Sequence, residues 1–341
     1  MNLSRALTLP LSLTAALALS SCASSSADPQ ATTSAEGGSG ETLTVQASFY
    51  PLQYVAERVG GEQVEVKSLT PAGAEPHDLE LSPAAVDGLR TADAVVYLSG
   101  FQPAVDEAVA QAAPEHVLDA VHAGVEGEAA HSAGEHEAAE ATHSEDAHAE
   151  EATGAAGAEA AGEDEHGHEE GGDPHFWLDP DRLAAVATEV AHELGEVDPD
   201  NAGTYEDNAE KLTVELEALD EEFATGLQTC EQHTIVVSHD AYGYLAEKYD
   251  LEQVAVAGFE PDTEPSPARL AEIGDVVEAE GVTTVFSESL VNPKVAETLA
   301  AEHDIKTAVL DPVEGQADEN TDYQQVMRNN LAALRTALDC A

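Results

Sequence analysis

Short apolar runs alternate along this chain with segments in which apolar residues recur every three or four positions. Residues 94–98 form a continuous apolar run, which is typical of a buried parallel strand, and residues 42–48 alternate between apolar and polar positions. Residues 103–113 and 323–338 have the spacing of amphipathic helices. This alternation of strand and helix predicts α/β architecture with parallel sheets.

A longer helical pattern divides the chain at residues 201–228. Its apolar positions are Tyr205, Ala209, Leu212, Leu216, Leu219, Phe223 and Leu227. The spacing could also form a coiled-coil dimer, but the run is short, so packing inside one molecule is favoured. We therefore predict two doubly wound parallel-sheet lobes, residues 42–200 and 229–341, joined by a long spine helix.

The pattern is interrupted between His122 and Gly172 by a segment rich in Ala, Gly, Glu and His. Its histidines are His122, His131, His136, His143, His148, His166 and His168. It contains no Lys, Arg or aromatic residue and cannot bury enough apolar area to offset its ordering entropy, so we predict a disordered loop. Its imidazoles and carboxylates could make weak, exchangeable metal contacts. Alternatively, the segment is only a solvated acidic linker.

The N-terminus has the features of a processing segment. Arg5 precedes an apolar stretch that is too short to span a bilayer, and Leu19-Ser20-Ser21-Cys22 resembles a bacterial lipobox. We predict a signal peptide at residues 1–21, lipid attachment at Cys22 and a flexible tether over residues 22–41. The protein would then lie on the outer face of a cytoplasmic membrane, at the cell surface or in a periplasm. A plain secretory signal is the alternative.

Two cysteines remain once Cys22 is assigned to lipid. In an oxidising compartment the simplest interpretation of Cys230 and Cys340 is a disulfide bond. A thiolate metal site is the alternative, although His233 is the only potential ligand at suitable spacing.

The charge balance limits the possible partners. The 341 residues include 68 acidic and 12 basic side chains, which gives a formal net charge of -56. Such a chain is not expected to bind nucleic acid or an anionic lipid surface directly, whereas it is compatible with cations.

Three histidines stand in distinctive settings. His77 lies in a Pro-rich loop, His175 precedes the only Trp of the chain, and His239 follows a predicted strand. Any one of them could be a capping or core histidine, but all three are placed at loop or strand ends, where open α/β sheets bind ligands. Three imidazoles and a carboxylate suit tetrahedral Zn²⁺, so we predict that these histidines bind one transition metal, most favourably zinc.

Six motifs carry a resemblance to a known family. They are Gly73-Ala74-Glu75-Pro76-His77-Asp78, His175-Phe176-Trp177-Leu178-Asp179-Pro180, Ser238-His239-Asp240-Ala241-Tyr242-Gly243-Tyr244, Glu264-Pro265-Ser266, Phe286-Ser287-Glu288 and Leu310-Asp311-Pro312. With these motifs in this order, the chain closely resembles the solute-binding proteins of zinc and manganese ABC importers, particularly the zinc-binding branch.

The resemblance implies a metal held in the cleft between two lobes by His77, His175 and His239, with Asp311 as the fourth ligand. Glu75 or water is the alternative fourth ligand. Glu75 and Glu288 are also expected to orient imidazole N–H groups. Manganese members tend to have a carboxylate at the third position, so His239 favours zinc and leaves Mn²⁺ as the less favoured cargo.

The function implied is that of a lipid-anchored, monomeric receptor that captures Zn²⁺ and hands it to an ABC transporter permease, without enzymatic activity. One alternative is a surface zinc buffer or adhesin that acts through the His-rich loop. The other is a zinc hydrolase, but the chain has no His-Glu-x-x-His and no Gly-x-Ser-x-Gly motif. Zinc affinity should fall as pH drops through the imidazole pKa near 6.5.

Overall fold

A computed structural model describes residues 42–125, 172–318 and 320–341. The first half of this described chain alternates strands with helices. Its elements are β1 (Leu43–Ala47), α1 (Tyr50–Gly60), β2 (Val64–Ser68), α2 (Pro83–Thr91), β3 (Ala94–Tyr97), α3 (Pro103–Ala112) and β4 (Val117–Asp119). A π-helical turn (Val121–Val125) follows β4, and a 3-10 turn (Phe176–Leu178) precedes α4 (Pro180–Val197).

The second half begins with the longest helix, α5 (Ala202–Leu227), and then resumes the alternation. Its elements are β5 (Thr234–Val237), α6 (Gly243–Lys248), β6 (Glu252–Ala255), α7 (Pro267–Glu280), β7 (Thr284–Ser287), α8 (Lys294–His303), β8 (Lys306–Val309) and α9 (Tyr323–Ala337). Several helices begin with Pro in the first turn, where its missing N–H has no intrahelical partner to lose.

Each half contains one four-stranded, fully parallel sheet. The strand orders are β2-β1-β3-β4 and β6-β5-β7-β8, so the central strands β1 and β3, or β5 and β7, mark the point where the winding reverses. In open α/β sheets, ligands bind beyond the carboxyl ends of the strands at this point. The predicted α/β class with two parallel-sheet lobes is thus confirmed, and the same topology indicates where a site should lie.

The helix α5 is the spine of the molecule. All seven apolar residues picked out by its periodicity are buried, from Tyr205 to Leu227. They belong to one apolar core that also includes side chains of α1, α4 and α9, together with strand residues from both sheets. Because this core extends through both lobes, the spine holds them through continuous side-chain packing.

The structure differs from the sequence prediction at the start of the acidic segment. His122 was expected to begin a loop, but Val121–Val125 form a helical turn. The Arg182 guanidinium donates from Nη1 to the carbonyl oxygens of Gly124 and Val125, at 2.8 and 3.2 Å. Gly124 also packs against the Phe176 ring so closely that a side chain would clash. These tertiary contacts stabilise a turn that composition alone does not indicate.

The remaining residues of the predicted loop, 126–171, lie outside the described residues, as do the predicted signal peptide, the tether and Cys22. Among the helices of the described ranges, none has the length and apolar character needed to cross a membrane. Cys230 and Cys340 form the predicted disulfide bond, which joins the end of α5 to the C-terminus.

Candidate metal centre

His77 lies in the irregular connection between β2 and α2. The Glu75 carboxylate accepts hydrogen bonds from the backbone N–H groups of His77 and Asp78, at 3.1 and 3.0 Å. The buried Gln102 side chain donates to the carbonyl of Pro76 at 3.1 Å. The His77 ring rests edge-on against Phe101, with 4.7 Å between ring centroids. These contacts hold the backbone of the loop so that the imidazole faces the other lobe.

His175 immediately precedes the 3-10 turn and is fully buried. Its Nδ1 lies 2.7 Å from Oδ1 of Asp173, which also accepts a hydrogen bond from the His175 backbone N–H at 2.9 Å. The Tyr244 hydroxyl donates to the Asp173 carbonyl at 3.1 Å. The carboxylate of Asp173 therefore fixes the ring so that Nε2 points into the cleft.

His239 follows β5, and Glu288 follows the neighbouring strand β7. The fully buried His239 ring has its Nδ1 2.7 Å from Oε1 of Glu288, which Ser238 also contacts through its hydroxyl. This arrangement repeats that of Asp173 and His175 in the opposite lobe. In both cases, a carboxylate on Nδ1 leaves Nε2 as the atom facing the cleft.

The three Nε2 atoms converge on Glu314, in the segment between β8 and α9. Oε1 of Glu314 lies 3.0 Å from Nε2 of His175 and 3.1 Å from Nε2 of His239, and Oε2 lies 3.4 Å from Nε2 of His77. One ligand atom from each of the four residues lies within 4.8 Å of the others. Three imidazole nitrogens and one carboxylate oxygen are a typical tetrahedral donor set for Zn²⁺.

The bonding of two of these imidazole nitrogens also indicates a metal site. Nε2 of His77 and Nε2 of His175 are buried, and neither makes a hydrogen bond of acceptable geometry among the described residues. A buried imidazole nitrogen without a hydrogen bond is energetically costly, and a metal ion bound there would remove the cost. The donor set and its unmet bonding capacity therefore both fit a metal ion.

The carboxylates also control the protonation of the cluster. Burial by itself lowers the pKa of the His239 imidazole, but Glu288 and Glu314 outweigh burial and raise this pKa to about 10. Burial also lowers the pKa of the His175 imidazole, but Asp173 and Glu314 outweigh burial, so the net shift of this pKa is upward. Burial favours a higher pKa for Glu314, but the three imidazoles reverse this and hold its pKa well below the usual range. Protons and a metal cation therefore compete for the imidazoles.

A cavity of about 570 Å³ opens beside His77. Phe101, Phe259, Glu260 and Thr263 contribute to its walls. The carboxylate of Glu260 reaches within 4.0 Å of Nδ1 of His77 across the cleft. Because His175 and His239 are fully buried, this cavity offers an approach to the cluster from the side of His77.

The structure brings together the three predicted histidines, but their carboxylate neighbour is Glu314 and not Asp311. The Asp311 side chain lies outside this group: its Oδ1 accepts a hydrogen bond from the Val313 backbone N–H at 2.8 Å, and its carboxylate also accepts a hydrogen bond from the Ser289 side chain. Glu75 supports the His77 loop through backbone contacts, whereas Glu288 contacts the His239 ring directly.

Sequence reasoning did not identify Glu314 or Asp173. Asp173 stands two residues before His175, just ahead of the motif that begins there, so its proximity was available as a clue. Glu314 stands three residues after Asp311 in an irregular segment, where residue spacing does not predict the direction of a side chain. The sequence therefore pointed to the correct segment through Asp311, but not to the carboxylate in it that faces the histidines.

A family model described as "Zinc-uptake complex component A periplasmic", ZnuA, matches residues 45–337. The chain belongs to the ZnuA family. The match includes all four residues of the cluster and both parallel sheets. The resemblance drawn from the six sequence motifs is thereby confirmed.

Named ZnuA relatives are similar over most of this chain. The high-affinity zinc uptake system protein ZnuA of Bacillus subtilis is 32% identical, and the match covers 88% of each protein. The zinc-binding lipoprotein AdcA of Streptococcus pneumoniae is 31% identical over 87% of this chain, but the match covers only 56% of AdcA. The chain thus spans about half the length of the AdcA proteins that it matches.

Solved structures agree with the ZnuA fold. The Zn(II)-bound ZnuA-like domain of Streptococcus pneumoniae AdcA matches with a TM-score of 0.65 and 29% identity, over 87% of this chain and 99% of that domain. The laminin-binding protein Lmb of Streptococcus agalactiae, described as bifunctional with adhesin and metal-transporting activity, has a TM-score of 0.69 and 28% identity, with the same coverage.

Proposed function

We propose that this chain is an extracytoplasmic receptor that captures Zn²⁺ and delivers it to an ABC importer. The observation that carries the proposal is the convergence of three imidazole Nε2 atoms on the Glu314 carboxylate between the two lobes. His77, His175, His239 and Glu314 would then be the ligands, with Glu314 in the role that sequence reasoning assigned to Asp311. The zinc-binding and zinc-uptake names of the ZnuA relatives support this assignment.

The charges of the cluster suit a divalent cation. With neutral imidazoles, the carboxylates of Glu314, Asp173 and Glu288 would more than balance the two charges of Zn²⁺. Imidazole-rich sites suit zinc, whereas Mn²⁺ favours carboxylate, carbonyl and water ligands. We therefore propose zinc as the main cargo and Mn²⁺ as a weaker competitor.

Delivery requires a membrane partner and a location outside the cytoplasm. We propose that a lipid on Cys22 anchors the protein to the outer face of the membrane and that the monomer docks on an ABC permease. The lipobox-like residues before Cys22 support the anchor, as does the description of the related AdcA protein as a lipoprotein. The description of the family as a periplasmic zinc-uptake component supports the partner and location.

A hydrolase is less well supported by the same cluster. Hydrolysis at zinc requires an open coordination position for water. Glu314 would close a four-ligand set, and it contacts all three imidazoles. We therefore propose a binding role without catalysis.

A competitive Zn²⁺ titration with native mass spectrometry tests the receptor proposal. The variants are His239→Ala, deletion of residues 126–171, and His233→Ala as a matched control. His233 is an exposed histidine whose Nδ1 lies 3.0 Å from the Asp250 carbonyl, away from the cluster. We expect one tight site in the wild type, in His233→Ala and in the deletion, and severe weakening in His239→Ala.

The alternative of a surface buffer or adhesin acting through the His-rich segment predicts a different result. Tight binding would then disappear with residues 126–171 and remain in His239→Ala. That outcome would reject the proposed site in the cleft.

A further inference from the structure

The segment that carries Glu314 is held by an unusual set of contacts around Asp311. The carboxylate of Asp311 accepts the Val313 N–H at 2.8 Å and also accepts a hydrogen bond from the Ser289 side chain. The side chain of the buried Asn330 pairs with the Asp311 backbone, accepting from its N–H at 2.9 Å and donating to its carbonyl at 2.7 Å. The Tyr242 hydroxyl donates to the carbonyl of Leu310 at 2.7 Å. Asp311 is thus fixed on both its backbone and its side chain.

Val313, which receives the Asp311 contact, has a left-handed backbone with φ of 60°. Within the described ranges, the other non-glycine residues with positive φ are Ala113, Asp250, Asp304 and Asp339, each just after a helix. Val313 is the only β-branched residue among them and does not follow a helix. A β-branched side chain is strained in this conformation, which persists only where surrounding contacts impose it.

The residues on either side of Val313 are held by the first half of the chain. The indole Nε1 of Trp177 donates to the Pro312 carbonyl at 2.7 Å, and the Tyr50 N–H donates to the Glu314 carbonyl at 3.4 Å. Hydrogen bonds therefore hold the backbone both before and after Val313.

We propose that Asp311 is a positioning residue for Glu314, and this proposal rests on the proposed zinc-binding function. By accepting the Val313 N–H, the Asp311 carboxylate stabilises the left-handed conformation that directs Glu314 toward the three imidazoles. Asp311 therefore acts on bound zinc through the backbone and not as a ligand.

The test measures the rate of Zn²⁺ dissociation into a chromogenic chelator for full-length protein. Asp311→Ala removes the acceptor, whereas Asp311→Asn retains an oxygen that can accept the Val313 N–H. Asp318→Ala is the matched control, because Asp318 accepts the N–H of Asn320 two residues later, at 3.0 Å, in an exposed turn outside the cluster. Each variant is also made in a Glu314→Gln background.

We expect Asp311→Ala to accelerate zinc release about 10- to 100-fold, as is typical when a residue supporting a metal ligand is lost. Asp311→Asn should retain most of the slow release, and Asp318→Ala should match the wild type. In the Glu314→Gln background, Asp311→Ala should add less than about threefold, because two residues acting through one contact are not additive. Thermal midpoints of chelator-treated proteins separate these effects from unfolding.

Three outcomes would overturn the proposal. In the first, Asp311→Ala releases zinc at the wild-type rate. In the second, Asp311→Ala accelerates zinc release by the same factor with and without Glu314→Gln. In the third, Asp311→Asn accelerates release as much as Glu314→Gln does, as expected for a direct ligand. If Asp311→Ala does not fold, Asp311→Ala/Val313→Gly decides: glycine adopts the left-handed conformation without support, so zinc release near the wild-type rate is expected, and release as fast as from Glu314→Gln would overturn the proposal. A wild-type rate in Glu314→Gln itself would instead reject the ligand set of the proposed function.

Discussion

Replacing Lys248 with Met should destabilise the protein far more than replacing a lysine or arginine at the surface. Nζ of Lys248, at the end of α6, lies 2.6 Å from Oδ1 of Asp179 and 3.2 Å from Oδ1 of Asp220, and it also contacts Asp181. Asp179 and Asp181 belong to the start of α4, and Asp220 belongs to the spine α5. One cation therefore joins the second lobe to two helices outside it.

The expected magnitude follows from burial. The side chains of Lys248, Asp179 and Asp181 are only 18%, 6% and 7% exposed, so methionine would leave two nearly buried carboxylates without their shared cation. Breaking a buried ion pair in this way costs about 3–5 kcal/mol. Arg182 remains 3.6 Å from Asp179 and offers partial compensation. We therefore expect a loss of about 3 kcal/mol in the free energy of unfolding, the lower end of that range.

Urea unfolding of chelator-treated protein measures this loss without the ionic screening that a guanidinium salt would add, with Arg328→Met as the matched control. Arg328 and Glu222 form an ion pair at 2.9 Å, but their side chains are 37% and 43% exposed. Such exposed pairs contribute about 0–1 kcal/mol. Asp181→Asn should restore part of the stability lost in Lys248→Met, because it removes one of the three clustered negative charges that Lys248 contacts. The reasoning is refuted if Lys248→Met and Arg328→Met cost the same.

Three further predictions concern protons, metal and the disulfide. The pKa of His239 is raised to about 10 and that of His175 is also raised, so zinc must displace protons from these imidazoles. The apparent zinc affinity in calorimetric titrations should therefore continue to rise above pH 7, and a plateau from pH 7 would contradict this. Zinc at a thousand times its dissociation constant should stabilise the wild type by about 4 kcal/mol in thermal unfolding, with that gain lost in His239→Ala and retained in His233→Ala. Cys340→Ser should lower the denaturation midpoint, because the disulfide to Cys230 closes a loop with a sequence separation of 110. Closing such a loop contributes roughly 4–5 kcal/mol in the chain-entropy model, and an unchanged midpoint would refute this contribution.

The raised imidazole pKa values also change the expectation drawn from the sequence. An isolated imidazole titrates near 6.5, which predicted a loss of zinc affinity through that pH. In the structure, Glu288 and Glu314 extend proton competition at His239 to about pH 10. In the metal-free protein, the stability contributed by this protonated imidazole is fully present below pH 6.5 and is lost as pH rises toward about 10.

Much of the fold could be predicted because its pattern is local. The apolar run of β3 and the periodicity of α5 depend only on neighbouring positions, and the expected side chains are buried except for Tyr97 of β3, which is partly exposed. The helical turn Val121–Val125 was missed because Arg182 and Phe176, which stabilise it, lie more than 50 residues away in sequence. Local composition at that point indicated only a solvated loop.

The candidate site divides in the same way. His77, His175 and His239 could be selected from the sequence because parallel strands place their carboxyl ends at one edge, and each histidine stood in a distinctive motif. The position of Glu314 beside them could not be predicted in that way. It depends on the backbone of Val313, which is held in a left-handed conformation by contacts from several parts of the chain.

By itself, the amino-acid sequence determined the α/β alternation, the spine helix, the strong negative charge and the three imidazoles at the ends of elements. These features follow from residue types and short spacings. Only the tertiary structure decided that Glu314 faces the histidines, that Asp173 orients one of them, and that Lys248 joins three distant aspartates. The physical reason is that hydrogen bonds and ion pairs depend on distance and direction between side chains, which are established only when separate elements pack together.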